Sequence, residues 1–290
     1  MAENLRALCE VLSQFCPTSK YYGKTVTQYN EIVLPSSPVK SISVHLTEHC
    51  NLNCAYCDHN CPVAEQGFSD IDKFEYDFIN LSKLTNGQVE QIKLLGGEPL
   101  LNPDIIHYMQ IVRQYIPISF IRIITNGILL TKMEKSFWCA CKDNNIAIGI
   151  SQYPIKIDFD KIYEIATNYS VEVYLEGRAQ NYFLNLKYDS SGSQDVYKSY
   201  EGCNTKNCTF LKDGKIYLCP QIYCSKYLEK YFGVNFSISK DDFLVLDKVN
   251  NVNEIQDFIS HPSPFCRYCV IPKQEVKWKI SERKRQEWLL

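Results

Sequence analysis

Residues 41–57 read SISVHLTEHCNLNCAYC, and residues 91–99 read QIKLLGGEP. Ile42, Val44 and Leu46 alternate with polar neighbours, the period-two pattern of a strand. That strand runs directly into Cys50, Cys54 and Cys57. The second segment is a short apolar strand that ends in two glycines. Further strands are predicted at SFIRIIT (119–125), IAIGI (146–150) and VEVYL (171–175). Helical patterns fill the gaps. Asp70 or Asp72 caps a helix running to about residue 84. Pro103-Asp104 opens one with Ile105, Ile106, Met109 and Val112 on one side. Thr131 to Asp143 forms a third. Asp158 or Asp160 opens a fourth, which carries Ile162, Tyr163, Ala166 and Tyr169. Short apolar strands alternating with helical returns predict an α/β fold with a parallel sheet and right-handed crossovers. Ligands of such sheets bind at the carboxyl ends of the strands. Those ends hold the chemistry-bearing residues: the three cysteines, then Gly96 to Pro99, Thr125 to Gly127, Ser151 and Gln152, and Glu176 to Arg178.

Composition narrows the function. The 290 residues are 45% hydrophobic and 22% charged, as in a globular protein of one large or two modest domains. Thirty-one basic against thirty-three acidic residues give a net charge of −2, which argues against coating nucleic acid or anionic lipid. No apolar run approaches the roughly 18 to 20 residues of a membrane span. The first sixteen residues, with Glu3 and Glu10, do not read as a signal peptide. The expectation is a cytoplasmic protein with reduced thiols, no nucleic-acid partner and no membrane. Fourteen cysteines in such a compartment point to metal or redox chemistry. Cys9, Cys139 and Cys141 are isolated and suit small buried hydrophobes. Ten others cluster: four between 50 and 61, four between 203 and 224, and two at 266 and 269.

Three thiolates spaced C-x3-C-x2-C in a loop suit three irons of a cubane, leaving the fourth iron open to a substrate or cofactor. A zinc site wants paired C-x2-C groups or added histidines; His49 and His59 keep that alternative open. The loop resembles the signature of the radical S-adenosylmethionine (SAM) superfamily, including Tyr56 just before the last cysteine. Gly96-Gly97-Glu98-Pro99 resembles that superfamily's SAM-binding motif. The resemblance implies a partial (β/α) barrel of about five to six parallel strands over residues 41–180. It implies a [4Fe–4S] cluster on Cys50, Cys54 and Cys57, whose open iron the amino and carboxylate groups of SAM chelate. Glycines at 96 and 97 let backbone carbonyls approach the cation, and Glu98 is expected to accept from the ammonium. Thr125, Asn126, Ser151 and Gln152 fall where the family contacts carboxylate and ribose. Cys61 is then a structural thiol, or a hydrogen-atom donor near the substrate.

The second cysteine set follows a loop, Ser190-Ser191-Gly192-Ser193, and a hairpin signal, TFLKDGKIYLC (209–219), around Asp213-Gly214. Cys203-x10-Gly214-x4-Cys219, followed by Cys266-x2-Cys269, resembles the auxiliary domains of the same superfamily in their one-cluster "twitch" form, found in aminocyclitol dehydrogenation. That implies a small auxiliary domain over 181–272, with Cys203, Cys219, Cys266 and Cys269 on a second [4Fe–4S] cluster. Cys208 and Cys224 are left over, and a structural zinc is the alternative. Residues 1–40 read as a helix (4–15) and a turn-rich lead-in. The basic tail, 273–290, reads as a solvated helix docked by Trp278 and Trp288. The family's mechanism implies reductive cleavage of SAM and hydrogen abstraction from a small polar substrate such as a sugar, aminocyclitol or nucleotide-linked sugar. A reductant such as flavodoxin or ferredoxin supplies the electron. Dehydrogenation follows if the second cluster accepts an electron, and epimerisation if a thiol returns hydrogen. The alternatives are a peptide-modifying enzyme and a non-catalytic iron–sulfur electron carrier. Arg178 is expected at the barrel mouth, binding hydroxyl or phosphate oxygens, with Tyr153 and Glu176 nearby.

Overall fold

The computed structural model describes residues 37–176, 181–206 and 208–290. The helix expected at 4–15, most of the lead-in, and Arg178 lie outside the described residues. β1 (Ser41–Thr47) is buried along its whole length, as a strand covered on both faces must be. β2 (Gln91–Gly96), β3 (Phe120–Thr125), β4 (Ile146–Ser151) and β5 (Val173–Glu176) add in sequence order on one side. All pair in parallel, with Ile42 opposite Ile92, Ile92 opposite Ile121, Ile121 opposite Ile146 and Ile148 opposite Val173. Helices α1 (Ile71–Thr85), α2 (Ile105–Tyr115), α3 (Lys135–Asp143) and α4 (Phe159–Tyr169) make the returns. Asp70 and Asp158 are the N-caps of α1 and α4, accepting from the first-turn amides. The helix expected from Thr131 starts later. A single 3-10 turn spans Leu130–Lys132, and the chain is extended at Met133 and Glu134 before α3 begins.

The second half adds three strands to the same sheet. After the short strand β6 (Tyr182–Asn185) and α5 (Val196–Glu201), the hairpin of β7 (Phe210–Lys212) and β8 (Lys215–Tyr217) docks on the free edge of β1. β7 runs parallel to β1 through one register pair, Ser43 with Phe210, and so counts as a sixth parallel strand. Asp213 and Gly214 turn the hairpin, both at positive φ. α6 (Pro220–Phe232), β9 (Phe243–Val245) and α7 (Val252–Ser260) follow, with β9 closing an eight-stranded sheet. A second core, rich in aromatics, gathers Tyr188, Phe210, Phe236, Phe265 and Trp288.

The tail is not the solvated helix read from the sequence. β10 (Gln274–Lys277) pairs antiparallel with β6, a 3-10 turn spans Arg285–Glu287, and Trp288 is 1% exposed. Main-chain pairing accounts for the difference: Ile280 bridges Cys54, and Ser281 N donates to Asn53 O at 2.8 Å. Among the described residues, no helix is long and apolar enough to cross a membrane.

Candidate functional site

A cavity of about 730 Å³ lies over the carboxyl ends of β1 to β4. Cys50, Cys54, Tyr56, Cys57 and Cys61 line it from the loop after β1. Gly96 and Gly97 line it after β2, Thr125 and Asn126 after β3, and Ser151 after β4. Residues from β6 and β10, among them Phe183 and Glu275, form the outer wall.

The glycines are dictated by the cysteine loop. A Cβ at Gly96 would lie 2.2 Å from Thr47 O, and one at Gly97 2.0 Å from His49 O. The main chain after β2 lies against the main chain after β1, with Gly97 N donating to Thr47 O at 2.8 Å and Glu98 N to His49 O at 3.0 Å.

Glu98 departs from the expectation drawn from its motif. Its side chain is fully buried and is not part of the cavity wall. Oε1 accepts from Thr125 Oγ1 at 2.7 Å and from Leu100 N at 3.1 Å; Oε2 accepts from Asn126 N at 2.9 Å. The carboxylate therefore ties the end of β2 to the end of β3. Burial pushes its carboxyl up to about 7, against those three donors. Pro99 and Gln152 also stay out of the wall.

The thiols are supplied with donors. Leu52 N lies 3.3 Å from Cys50 Sγ, Asn126 Nδ2 3.6 Å from Cys50 Sγ, and Trp278 Nε1 3.2 Å from Cys54 Sγ. Burial pushes Cys50 and Cys54 up to about 12 when nothing is bound. Cys61 Sγ lies 3.8 Å from His59 O, and the Cys61 side chain beside Cys57 holds Cys57 below the ordinary thiol range while Cys61 is pushed well above it. Among the described residues, no three His, Cys, Asp or Glu side chains converge on a single ion, as zinc requires. A cubane takes each sulfur on a different iron, so sulfurs set apart around one cavity, each with a donor, fit a cluster.

Cys203, Cys219, Cys266 and Cys269 line a second, small cavity of about 20 Å³. Cys208 and Cys224 are not in its wall. Cys219 is the N-cap residue of α6, with the amides of Gln221 and Ile222 beside its sulfur. Cys208 sits instead near Lys93, and Cys224 near Glu48 and Cys57.

Two features were not read from the sequence. One is Trp278 at Cys54, a contact 224 residues apart in the chain. The other is a buried polar chain joining the hairpin to the cysteine loop. Lys212 Nζ lies 2.8 Å from Glu48 Oε1, His45 Nδ1 3.1 Å from Glu48 Oε2, and His45 Nε2 2.8 Å from His59 Nδ1 in the cavity wall. Tyr227 also donates to Glu48. Burial pushes the Glu48 carboxyl up, but the partners His45 and Lys212 outweigh it and hold it well below the carboxylate range.

Comparison with known proteins agrees with this geometry. Residues 44–177 match the family model of the Radical SAM superfamily. A GTP 3′,8-cyclase of Campylobacter fetus subsp. fetus is 26% identical over 235 residues, covering 78% of this chain and 68% of that protein. One from Campylobacter jejuni subsp. doylei is 27% identical over 150 residues, so this chain spans under half, 45%, of its length. The crystal structure of BtrN in complex with AdoMet and 2-DOIA superposes with a TM-score of 0.52 at 18% identity, covering 80% of this chain and 92% of that one. Cysteine loop, strand order and family match coincide on the same residues, with the match to the Radical SAM superfamily spanning the barrel from β1 to β5.

Proposed function

We propose that this radical SAM enzyme dehydrogenates a small polar substrate, resembling deoxy-scyllo-inosamine dehydrogenase, with a second cluster in its C-terminal half as the electron acceptor. The observation that carries the reading is the wall of the second cavity, which holds four thiols and leaves the other two nearby cysteines out. A complete set of four ligands suits electron transfer, since it keeps no iron free for substrate. When bound, a cluster and SAM would supply the difficult one-electron chemistry, the generation of a radical able to take a hydrogen atom. The protein's part is to hold them: Cys50, Cys54 and Cys57 as ligands, and Gly96, Gly97, Thr125, Asn126 and Ser151 around SAM.

The same cavity wall bears on the substrate. Its charged side chains among the described residues are Asp58 and Glu275, with no lysine or arginine. Carboxylates, amides and the Tyr153 hydroxyl suit hydroxyl and amine donors. A triphosphate, the substrate class named for the cyclase relatives, calls for cations. Cys61 supports a second reading, epimerisation, because it lines the cavity; its engagement with Cys57 favours the structural role.

The test is anaerobic reconstitution with SAM, dithionite and candidate aminocyclitols, sugars and GTP. We expect 5′-deoxyadenosine with an oxidised aminocyclitol or sugar, and none of either from Cys50→Ala, Cys54→Ala or Cys57→Ala. Consumption of GTP, or an oxidised product from Cys269→Ala at the unaltered rate, would overturn the proposal.

A further inference from the structure

The C-terminal strap is built into the cysteine loop. Ala55 N donates to Lys279 O at 2.9 Å and Ser281 N to Asn53 O at 2.8 Å, with Cys54 and Ile280 bridged between them. Asn53 Nδ2 donates to Ser281 O at 3.2 Å. Trp288 Nε1 donates to Cys57 O at 3.2 Å. This two-residue-per-step pairing fixes which strap side chain reaches which loop residue. It brings Trp278 alongside Cys54, with indole Nε1 3.2 Å from Sγ. A half-buried indole N–H needs an acceptor, and Cys54 Sγ is the one it has.

We infer that Trp278 tunes the reduction potential of the cluster held by Cys50, Cys54 and Cys57. The inference rests on the reading that these cysteines hold an iron–sulfur cluster. Reduction adds negative charge to the cluster and its sulfurs, and a donor aimed at one sulfur stabilises that added charge. Hydrogen bonds to the sulfurs are among the groups that set cluster potentials. Two of the donors at Cys50, Leu52 N and Asn126, come from the barrel itself. The donor at Cys54 comes from the far end of the chain. The strap thus raises the potential and makes this cluster easier to reduce, a role separate from ligation and from holding SAM. Phenylalanine at 278 keeps a ring on the strap and removes only the donor.

The experiment is an electron paramagnetic resonance redox titration of the reconstituted full chain. The signal that changes on adding SAM identifies the cluster in question. Trp278→Phe, loaded with iron to the level of the unaltered chain, should show a midpoint potential shifted to more negative values. An unshifted midpoint, or a positive shift, overturns the inference. If Trp278→Phe fails to take up iron, the unaltered chain carrying nitrogen-15 in its indoles decides. A nitrogen-15 coupling on the SAM-responsive signal supports the N–H to sulfur contact, and its absence refutes it. An unaltered chain with no SAM-responsive cluster would refute the underlying reading as well.

Discussion

Gly97→Ala asks whether the glycine pair serves the main chain or a ligand. A Cβ at 97 would lie 2.0 Å from His49 O, 2.3 Å from His49 C and 2.8 Å from Cys50 N. All three are backbone atoms, so no rotamer relieves the clash. Moving the closest contact from 2.0 Å out to even 3.0 Å, the tightest that real Cβ atoms show, separates the two loops by an ångström. That movement breaks the Glu98 N to His49 O bond and strains Gly97 N to Thr47 O. Each such bond is worth a net ~0.5–1.5 kcal/mol, so the cost is about 1–3 kcal/mol, the range of an overpacked core. For a chain of this size, that is a fall in Tm of roughly 2–12 °C. The displaced residues are the ones that begin the cysteine loop, and a misplacement of ~1 Å costs on the order of 100-fold in rate. Thermal unfolding and 5′-deoxyadenosine yield should therefore fall together. Gly67→Ala is the control. Its Cβ meets nothing nearer than Glu48 Cγ at 3.8 Å, an ordinary contact, so cluster loading should survive. A Gly97→Ala chain with unchanged Tm and unchanged SAM cleavage would refute the steric argument.

Burial raises the Glu98 carboxyl from 4.5 to about 7, so the folded chain binds this proton more tightly than the unfolded chain. This group's contribution to stability is therefore full below about pH 4.5 and declines as pH rises through 7. Urea unfolding between pH 5 and 7.5 should show that slope, and Glu98→Gln should lose it; an identical slope in both would refute the assignment. Cys269→Ala should lower iron from about eight to about four per chain while leaving some SAM cleavage, by iron analysis and product yield; a chain that saturates at four before mutation contradicts two clusters. Arg113 donates to the carbonyls of Pro117, Ser119, Asn144 and Asn145. A lysine cannot make that fork, so Arg113→Lys should cost about 3 kcal/mol in urea unfolding without changing iron content.

The barrel was legible because its signals are local. Strand alternation in β1, Asp70 and Asp158 as caps, and the Asp213-Gly214 turn each depend on residues a few positions apart. The C-x3-C-x2-C loop was legible for the same reason: three ligands of one cluster fit within eight residues. Glu98 shows where that stops. Its motif placed it at the cavity, but its direction is decided by Thr125 and the amide of Asn126, on another strand. The tail failed likewise. Residues 279–281 read as part of a helix, yet their backbone groups find partners on 53–55, a choice that exists only once the barrel has formed.

The sequence alone determined the parallel α/β order, the position of the cysteine loop at a strand's carboxyl end, and the kind of chemistry three closely spaced thiols allow. Tertiary structure decided that the hairpin extends the sheet from β1, that Glu98 braces two strand ends, and that Trp278 reaches Cys54. The physical reason is range. Propensities, caps and ligand spacing act between neighbours, whereas buried polar partners are chosen from whatever the folded chain brings within about 3 Å.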